Sequence, residues 1–241
     1  WLMKEGAGIK VYDSANFRND GTLINGTSWS FGKFGPTLRF EGTDDYVRVL
    51  DASSLDLTSN FTISMWTKRR VSQTIRYLLS KLNNAGNNNA YSLIYGYVTD
   101  TVEFFANGFS GTDPRTGSSI LISDVEWHHV AYTYNGTTWS GYRDGSQVFT
   151  TGRTFSLAVT TGDLLFCTFS GGDNTFDGKI DDLRIYKRWL SPDEIREVYT
   201  NPFGILLENR RSQEIQNYFK LMFDSSNTLV LNSDNTLVWA K

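Results

Sequence analysis

Residues 127–150 read WHHVAYTYNGTTWSGYRDGSQVFT, and this stretch decides the fold class. Two Asx-Gly pairs, Asn135-Gly136 and Asp144-Gly145, divide it into three short runs rich in aromatic and β-branched residues. Asn, Asp and Gly tolerate the positive φ angles of tight hairpin turns, whereas aromatic and β-branched side chains suit strands. The stretch therefore predicts a meander of antiparallel strands.

Similar patterns occur along most of the chain. Phe61–Trp66 alternates apolar and polar residues, as a half-buried strand does. Further Asx-Gly pairs predict turns at Asp20-Gly21, Asn25-Gly26, Asn107-Gly108 and Asp177-Gly178. Many short strands separated by such turns are typical of an all-β sandwich, jelly roll or barrel.

One helix is predicted where the β-rich region ends. Ser191 is a good N-cap, Pro192 suits the first helical position, and Glu194 is placed to complete a capping box. Asn201-Pro202 should end the helix.

Residues 201–241 form a separate tail. Apolar residues at helical spacing predict a second helix between 206 and 223. The stretch Asn-Thr-Leu-Val occurs at 227–230 and again at 235–238, which predicts a short β-hairpin. A hairpin and apolar helix of this kind should either dock on the sandwich or join a neighbouring subunit.

Composition excludes several classes of protein. The 241 residues are 39% hydrophobic with 4 Pro, which excludes wholesale disorder. No run approaches the roughly 18 apolar residues of a membrane span. The net charge of −3 argues against a general nucleic-acid binder. The one basic cluster, Lys68-Arg69-Arg70 with Arg76, is interpreted as a solvated strand end, with a polyanion contact as the alternative. The single cysteine, Cys167, excludes an intramolecular disulfide.

Six stretches match a known pattern in order and spacing: Trp1–Gly8, Asp13–Leu23, Gly32–Val47, Phe61–Trp66, Trp127–Ala131 and Asp177–Tyr186. Together they resemble the laminin-G-like, concanavalin-A-like jelly-roll family. The resemblance covers about residues 1–200 and implies an all-β, two-sheet antiparallel jelly-roll sandwich with a short C-terminal helix. The tail, 201–241, lies outside it.

Aromatic residues near turns are the candidates for a ligand platform, because sugars stack on exposed rings. Trp66, Trp127 and Phe40 lie in strand patterns and should fill the space between the sheets. The side chains nearer to turns and loops are Tyr95, Tyr97, Phe109, Trp139 and Tyr142. We expect these five to form a surface that binds a ligand.

No catalytic site is expected. His128 and His129 are adjacent on a predicted strand, so their side chains should point to opposite faces. Some relatives of this fold are glucanases with an E-x-D-x-E pattern on one strand, and this chain has no such pattern. No G-x-S-x-G elbow for a nucleophilic serine occurs either.

Calcium is the one metal that the sequence favours, since hard oxygen ligands suit it. The loop from 13 to 20 supplies Asp13, Asn16 and Asp20, and Asp181 or Asp182 could approach from the last strand. Several members of the family that the chain resembles bind a structural calcium ion. The alternative is that these residues only form turns.

Two classes of function fit these features. One is a non-catalytic structural and surface-recognition protein, such as a phage virion decoration or attachment component, whose tail mediates self-association or attachment. The other is a free-standing secreted carbohydrate-binding or adhesion module. Either should bind a glycan or protein at a surface and act outside the cell or on a virion surface.

Overall fold

The computed structural model describes residues 1–15, 17–82, 89–106, 110–111, 119–170, 172–203, 229–231 and 237–239. The chain divides into two compact units, residues 1–200 and residues 201–241.

The strands of the first unit are, in chain order, β1 (Lys10–Val11), β2 (Gly21–Ile24), β3 (Ser28–Phe31), β4 (Pro36–Glu41), β5 (Tyr46–Val49), β6 (Phe61–Arg69), β7 (Arg76–Leu82), β8 (Asn89–Tyr95), β9 (Thr101–Phe105), β10 (Ser110–Gly111), β11 (Ser119–Leu121), β12 (His128–Tyr134), β13 (Thr138–Arg143), β14 (Ser146–Gly152), β15 (Phe155–Ser156), β16 (Leu164–Phe166) and β17 (Asp177–Tyr186). A short 3-10 helix spans Ser53–Leu55, and the helix α1 spans Pro192–Thr200.

Two antiparallel sheets form the sandwich. One has eight strands in the order β1-β2-β5-β16-β7-β8-β9-β11, and the other has seven in the order β14-β13-β12-β6-β17-β4-β3. Strands β10 and β15 pair separately. This architecture confirms the predicted all-β, two-sheet jelly-roll sandwich with one short C-terminal helix.

The core lies between the two sheets, and β6 shows how it is built. Phe61, Ile63 and Met65 occupy alternate positions of β6 and are fully buried. The Phe61 ring stacks on Phe104 of the opposite sheet, with ring centroids 5.8 Å apart. Each such side chain contributes about 1.5–3 kcal/mol through its removal from water. The period-two pattern read from the sequence is therefore the pattern that fills the core.

Two of the predicted hairpin turns show why Asx-Gly pairs are used. Asp144 and Gly145, with φ angles of 50° and 74°, connect β13 to β14. Asn135 begins the turn between β12 and β13, where its backbone amide donates to the Thr138 carbonyl at 3.3 Å. Both turns confirm the predicted meander.

Two other Asx-Gly pairs were assigned wrongly as turns. Asp177-Gly178 begins strand β17, and Gly21 begins strand β2. A Cβ on Gly178 would lie 2.4 Å from the Lys68 carbonyl oxygen. Gly178 is thus needed because the backbone of β6 passes close to it, and not because the chain turns. The pair at 107–108 lies outside the described residues.

Helix α1 begins as its capping residues predict. The Ser191 backbone amide donates to Glu194 Oε2 at 2.8 Å, and the Glu194 amide donates to Ser191 Oγ at 3.2 Å. Ile195 and Val198 are buried in a small cluster with Ala131 of β12. The helix therefore covers part of the outer face of the seven-stranded sheet.

That cover explains one error of the sequence analysis. Trp66 was expected between the sheets, but it lies on the outer face and stacks on Tyr199 of α1, with centroids 5.3 Å apart and planes 20° apart. Phe40 does belong to the core between the sheets. Cys167 is buried, as its apolar neighbours predict.

In the second unit, β18 (Leu229–Leu231) and β19 (Leu237–Trp239) pair antiparallel, with Leu229 opposite Trp239. These strands coincide with the repeated Asn-Thr-Leu-Val stretches. The helix predicted between 206 and 223 lies outside the described residues. No helix in the described part of the chain is long and apolar enough to cross a membrane.

Candidate ligand cleft

Three of the five candidate aromatic residues are buried, which corrects the predicted surface platform. Trp139 is fully buried and its ring meets Phe104 edge-on at 4.9 Å. Tyr95 is buried too, and its hydroxyl donates to the Ile122 carbonyl at 3.1 Å. Tyr142 is buried in the cluster beneath α1. Proximity to a turn did not expose these rings, because Tyr95 and Trp139 belong to the core between the two sheets and Tyr142 is covered by α1.

Tyr97 is the member of the set that faces solvent. Its side chain is 58% exposed, and its ring packs edge-on against Phe105 at 4.7 Å. The contact holds the ring in a fixed orientation while leaving most of it accessible. Val98 beside it is also exposed. Phe109 lies outside the described residues.

A cleft of about 290 Å³ opens at the end of the sandwich where β4 ends and β17 begins. Its lining comes from Gly42, from Asp177, and from the segment that connects β6 in one sheet to β7 in the other. The residues of that connection which line the cleft are Val71, Ser72, Gln73, Thr74 and Arg76. Most of the lining side chains are polar, and two of them, Arg76 and Asp177, are charged.

The amide of Gln73 fixes the connection to β17. Gln73 Nε2 donates to the Asp177 carbonyl at 2.7 Å, and Gln73 Oε1 accepts from the Asp177 backbone amide at 2.8 Å. This pair of bonds reproduces what a neighbouring strand would supply. Because Gln73 is buried, breaking the pair would leave polar groups without partners.

Asp177 is held in place from two sides. Arg70 Nε donates to Asp177 Oδ1 at 2.8 Å, and Arg70 Nη2 donates to Oδ2. On the other side Gly42 has a φ of +80°, and a Cβ there would lie 2.8 Å from the Asp177 Cβ. Only glycine combines this backbone conformation with so close an approach.

The connection between β6 and β7 also contacts Gly96, the residue before Tyr97. The Ile75 amide donates to the Gly96 carbonyl at 3.2 Å, and a Cβ on Gly96 would lie 2.1 Å from the Gln73 carbonyl oxygen. Ile75 has a φ of 46°, a region that β-branched residues rarely adopt. Gly96 is thus in close contact with the connection that lines the cleft, and Tyr97 is the next residue in the chain.

The proposed calcium ligands on β17 are already paired with cations. Asp181 receives two backbone amides and forms an ion pair with Lys4 at 3.3 Å. Burial raises the pKa of Asp181, although Lys4 opposes that shift. Asp182 binds Arg184 through both carboxylate oxygens, at 2.8 and 2.9 Å. Calcium would have to displace these partners, so this pair of aspartates does not fit the ion.

The N-terminal part of the predicted set serves a turn. Asp13 accepts backbone amides from Ala15 at 2.9 Å and Asn19 at 3.1 Å, and Asp20 accepts from the Asp13 amide at 3.0 Å. Asn16 lies outside the described residues. Across the part of the chain that is described, no three His, Cys, Asp or Glu side chains are grouped closely enough for a metal.

The two histidines occupy opposite faces of β12 and differ in their electrostatics. The ring of His128 lies between Asp144 at 2.7 Å and Asp124 at 2.9 Å. Burial alone would lower the pKa of His128, but its hydrogen bonds to these carboxylates raise it. Burial lowers the pKa of His129 from 6.5 to about 3. They do not form a common site.

The sequence analysis missed Gln73 and Gly42, and it named Arg76 only as part of the basic cluster. The available signal was the irregular stretch 70–75, which breaks the strand pattern after β6. The partner residues are far away in sequence, with 104 positions between Gln73 and Asp177. Nothing local in the sequence joins them.

The comparisons with known proteins agree with this fold. The family model described as "Concanavalin A-like lectin/glucanases superfamily" matches residues 41–196, which is more than half of the chain. No curated protein matches the sequence.

Three similar solved structures illustrate the range of proteins that share the fold. The binding domain of Paraclostridial Mosquitocidal Protein 1 has a TM-score of 0.63 at 17% identity, over 84% of this chain and 52% of that one. Domain 4 of AbnA, an extracellular arabinanase from Geobacillus stearothermophilus, was solved in complex with arabinotriose. It has a TM-score of 0.57 at 18% identity, over 75% of this chain and 88% of that one. Trypanosoma rangeli sialidase in complex with sialic acid has a TM-score of 0.58 at 17% identity, over 85% of this chain and 33% of that one. The chain thus spans about half of the first of these and a third of the last.

Proposed function

Because the chain belongs to the concanavalin A-like lectin/glucanase superfamily, we propose that it is a non-catalytic recognition module that binds a glycan in the cleft at the end of the sandwich. The observation that carries the proposal is a rigid polar cleft whose wall contacts Gly96, the residue before the exposed Tyr97. Protein sites for small polar ligands combine a few placed polar groups with such a ring.

The groups available in the cleft suit sugar hydroxyls. Thr74 offers a hydroxyl, Arg76 offers N–H donors, and the Asp177 carboxylate accepts hydrogen bonds. Val71 adds an exposed apolar surface, and Tyr97 presents a ring on which a sugar face can stack. The rigid backbone around Gln73 means that little order must be gained on binding, which favours affinity.

The chemistry of the cleft favours binding over hydrolysis. Most glycosidases need two carboxyl groups, about 5–9.5 Å apart, on either side of the bond that is cleaved. Among the described residues that line the cleft, Asp177 is the single carboxylic acid, and Arg70 donates to both of its oxygens. Some solved structures of the same fold are binding domains, which supports the proposal.

The test is binding of the whole chain to a panel of immobilised oligosaccharides, followed by Tyr97→Ala. We expect loss of the ring to weaken binding roughly two- to tenfold, which corresponds to about 0.5–1.5 kcal/mol for an aromatic contact. The matched control is Tyr12→Ala. Tyr12 is exposed to a similar extent, 55%, and follows β1 at the edge of the eight-stranded sheet.

Two results would contradict the proposal. One is the absence of binding to every member of a panel that includes neutral, acidic and sulfated sugars. The other is an equal effect of Tyr97→Ala and Tyr12→Ala, which would show that the Tyr97 ring has no special role.

A second role is favoured by the tail. Strands β18 and β19 form a sheet of two strands within the described residues. A two-stranded sheet is marginal in water, and free strand edges pair readily with other chains. We propose that residues 201–241 attach the module to a larger extracellular assembly, of which a virion surface is one kind.

Removal of residues 203–241 tests this second role. We expect the sandwich to keep its far-UV circular dichroism spectrum, while self-association measured by light scattering is lost. A full-length chain that stays monomeric at high micromolar concentration, with a truncated chain that unfolds, would contradict the role in assembly and leave the free-standing binding module.

A further inference from the structure

The basic cluster at the end of β6 is largely neutralised by the protein itself. Lys68 forms an ion pair with Glu126 at 3.3 Å. Arg69 is buried, pairs with Asp100, and donates from Nε to the Asp124 carbonyl at 2.6 Å. These two cations stabilise loops at this end of the sandwich, and they have little capacity left for a ligand.

The two arginines at the cleft, Arg70 and Arg76, differ in whether a carboxylate neutralises their charge. Arg70 is bound to both carboxylate oxygens of Asp177 through its Nε and Nη2, so this pair carries no net charge. Arg76 lines the cleft, and its Nη1 donates to the carbonyl of the neighbouring Ile75 at 3.3 Å. Among the described residues no carboxylate forms an ion pair with Arg76. Within the described residues, Arg76 therefore gives the cleft one positive charge that no carboxylate neutralises.

The backbone that carries Arg76 is well fixed. Arg76 is the first residue of β7 and lies opposite Tyr95 of β8. The next residue, Tyr77, donates its backbone amide to the Asn174 carbonyl at 3.1 Å. On the preceding side, Ile75 is bound to Gly96. A guanidinium on a fixed backbone can bind an anion with little loss of chain entropy.

We infer that the ligand of the cleft is an acidic saccharide, whose carboxylate or sulfate group is bound by Arg76. The inference rests on the proposed function and narrows it. A guanidinium matches the paired oxygens of a carboxylate or a sulfate with two parallel hydrogen bonds, and it stays charged at every physiological pH. The remaining sugar hydroxyls are then met by Thr74 and Asp177, and the ring stacks on Tyr97.

The experiment compares pairs of oligosaccharides that differ only in the acid group. One pair is a uronic-acid oligosaccharide and the same compound with its carboxyl groups reduced to alcohols. The other pair is a sulfated oligosaccharide and its desulfated form. Binding of each compound to the full chain is measured by calorimetry at low and at physiological salt.

We expect one of the two acidic compounds to bind about ten- to a hundredfold more tightly than its neutral partner, as charge-assisted hydrogen bonds do. Added salt should reduce that preference. Arg76→Gln should lower the affinity for the acidic compound to that of its neutral partner, and Arg76→Lys should restore part of it. The pair that responds identifies the acid group.

Arg188→Gln is the matched control. It changes the net charge equally, but Arg188 lies beyond the other end of β17, where it pairs with Glu194. It should leave the preference intact.

The outcomes separate the inference from the proposed function. Equal binding of acidic and neutral partners would overturn the inference and leave glycan binding standing. An acid preference that Arg76→Gln does not reduce, or that Arg188→Gln reduces equally, would overturn it too. Binding of none of the four compounds would overturn both.

Discussion

Mild acid is expected to destabilise the sandwich through one buried side chain, His129. Its imidazole is 1% exposed on the outer face of the seven-stranded sheet, with ring centroids 5.6 Å from Trp66 and 6.0 Å from Tyr199. Neither ring nitrogen has a hydrogen-bond partner within the described part of the chain. Burial lowers the pKa of His129 from 6.5 to about 3, and the positive charge of Arg184 lowers it further, against the weaker opposite effect of Asp144.

The sign follows from the two pKa values. Below pH 6.5 the unfolded chain binds a proton at this histidine, whereas the folded chain does not bind it until the pH approaches 3. The free energy of unfolding therefore falls as the pH decreases through that window. Each pH unit costs about 1.4 kcal/mol, so the loss at pH 5 is about 2 kcal/mol. For a domain of this size, that loss lowers Tm by roughly 4–8 °C.

The assay is urea unfolding of the wild type and of His129→Phe between pH 7.5 and pH 5. As the pH is lowered from 7.5 to 5, the free energy of unfolding of the variant minus that of the wild type should rise by about 2 kcal/mol. This change does not depend on the difference at neutral pH. His129→Leu should show the same slope if the ring size of Phe disturbs packing. An identical pH dependence of wild type and both variants would refute the reasoning.

His128→Phe is the control, since the opposite sign is expected there. Its two carboxylate neighbours raise the pKa of His128, so this residue stabilises the folded state below pH 6.5 and the contribution is lost as the pH rises through the raised value. The variant should accordingly lose more stability in acid than the wild type does.

Three further results are expected. Gly42→Ala should cost about 1–3 kcal/mol more than Gly8→Ala in thermal unfolding, because both glycines have φ near +80° but only Gly42 faces Asp177 at 2.8 Å while Gly8 has open space; equal costs would contradict the close approach. Ser191→Ala should cost about 1 kcal/mol and Ser191→Asp much less, because only the first removes the cap; equal losses would exclude the capping box. Chelation of calcium should leave Tm unchanged, because cations and backbone amides already hold the candidate carboxylates, and a lowered Tm would show that an ion is bound.

The features that the sequence predicts well are local ones. The turn at Asp144-Gly145 depends on two consecutive φ angles, and the start of α1 depends on Ser191 and Glu194 three residues apart. Each is decided within a few residues, so the residue types alone are sufficient. The family resemblance then supplied the two-sheet architecture that local signals leave open.

The faces of the strands could not be assigned in the same way. Alternation in β6 shows that Phe61 and Trp66 lie on opposite faces, but it does not say whether the second face meets solvent. Helix α1 covers that face, and Trp66 and Tyr142 are buried beneath it. Trp66, expected between the sheets, and Tyr142, expected on a surface platform, are for this reason in a second buried layer.

The cleft was missed because its parts come from three separate regions of the chain. Asp177 was predicted to be half of an Asx-Gly turn, whereas it lies in close contact with Gly42. Gln73 binds the backbone of Asp177, which is 104 positions away in sequence. Contacts of this kind depend on the packing of the whole sandwich.

The most direct measurement is backbone amide chemical-shift mapping during titration of the isotope-labelled chain with an oligosaccharide that it binds. We expect the largest shifts at residues 42, 71–76, 96–98 and 177, with Arg76 and Tyr97 among the most affected. Saturable shifts concentrated instead at the opposite end of the sandwich, around 56–60 and 135–137, would contradict the assignment of the cleft as the binding site.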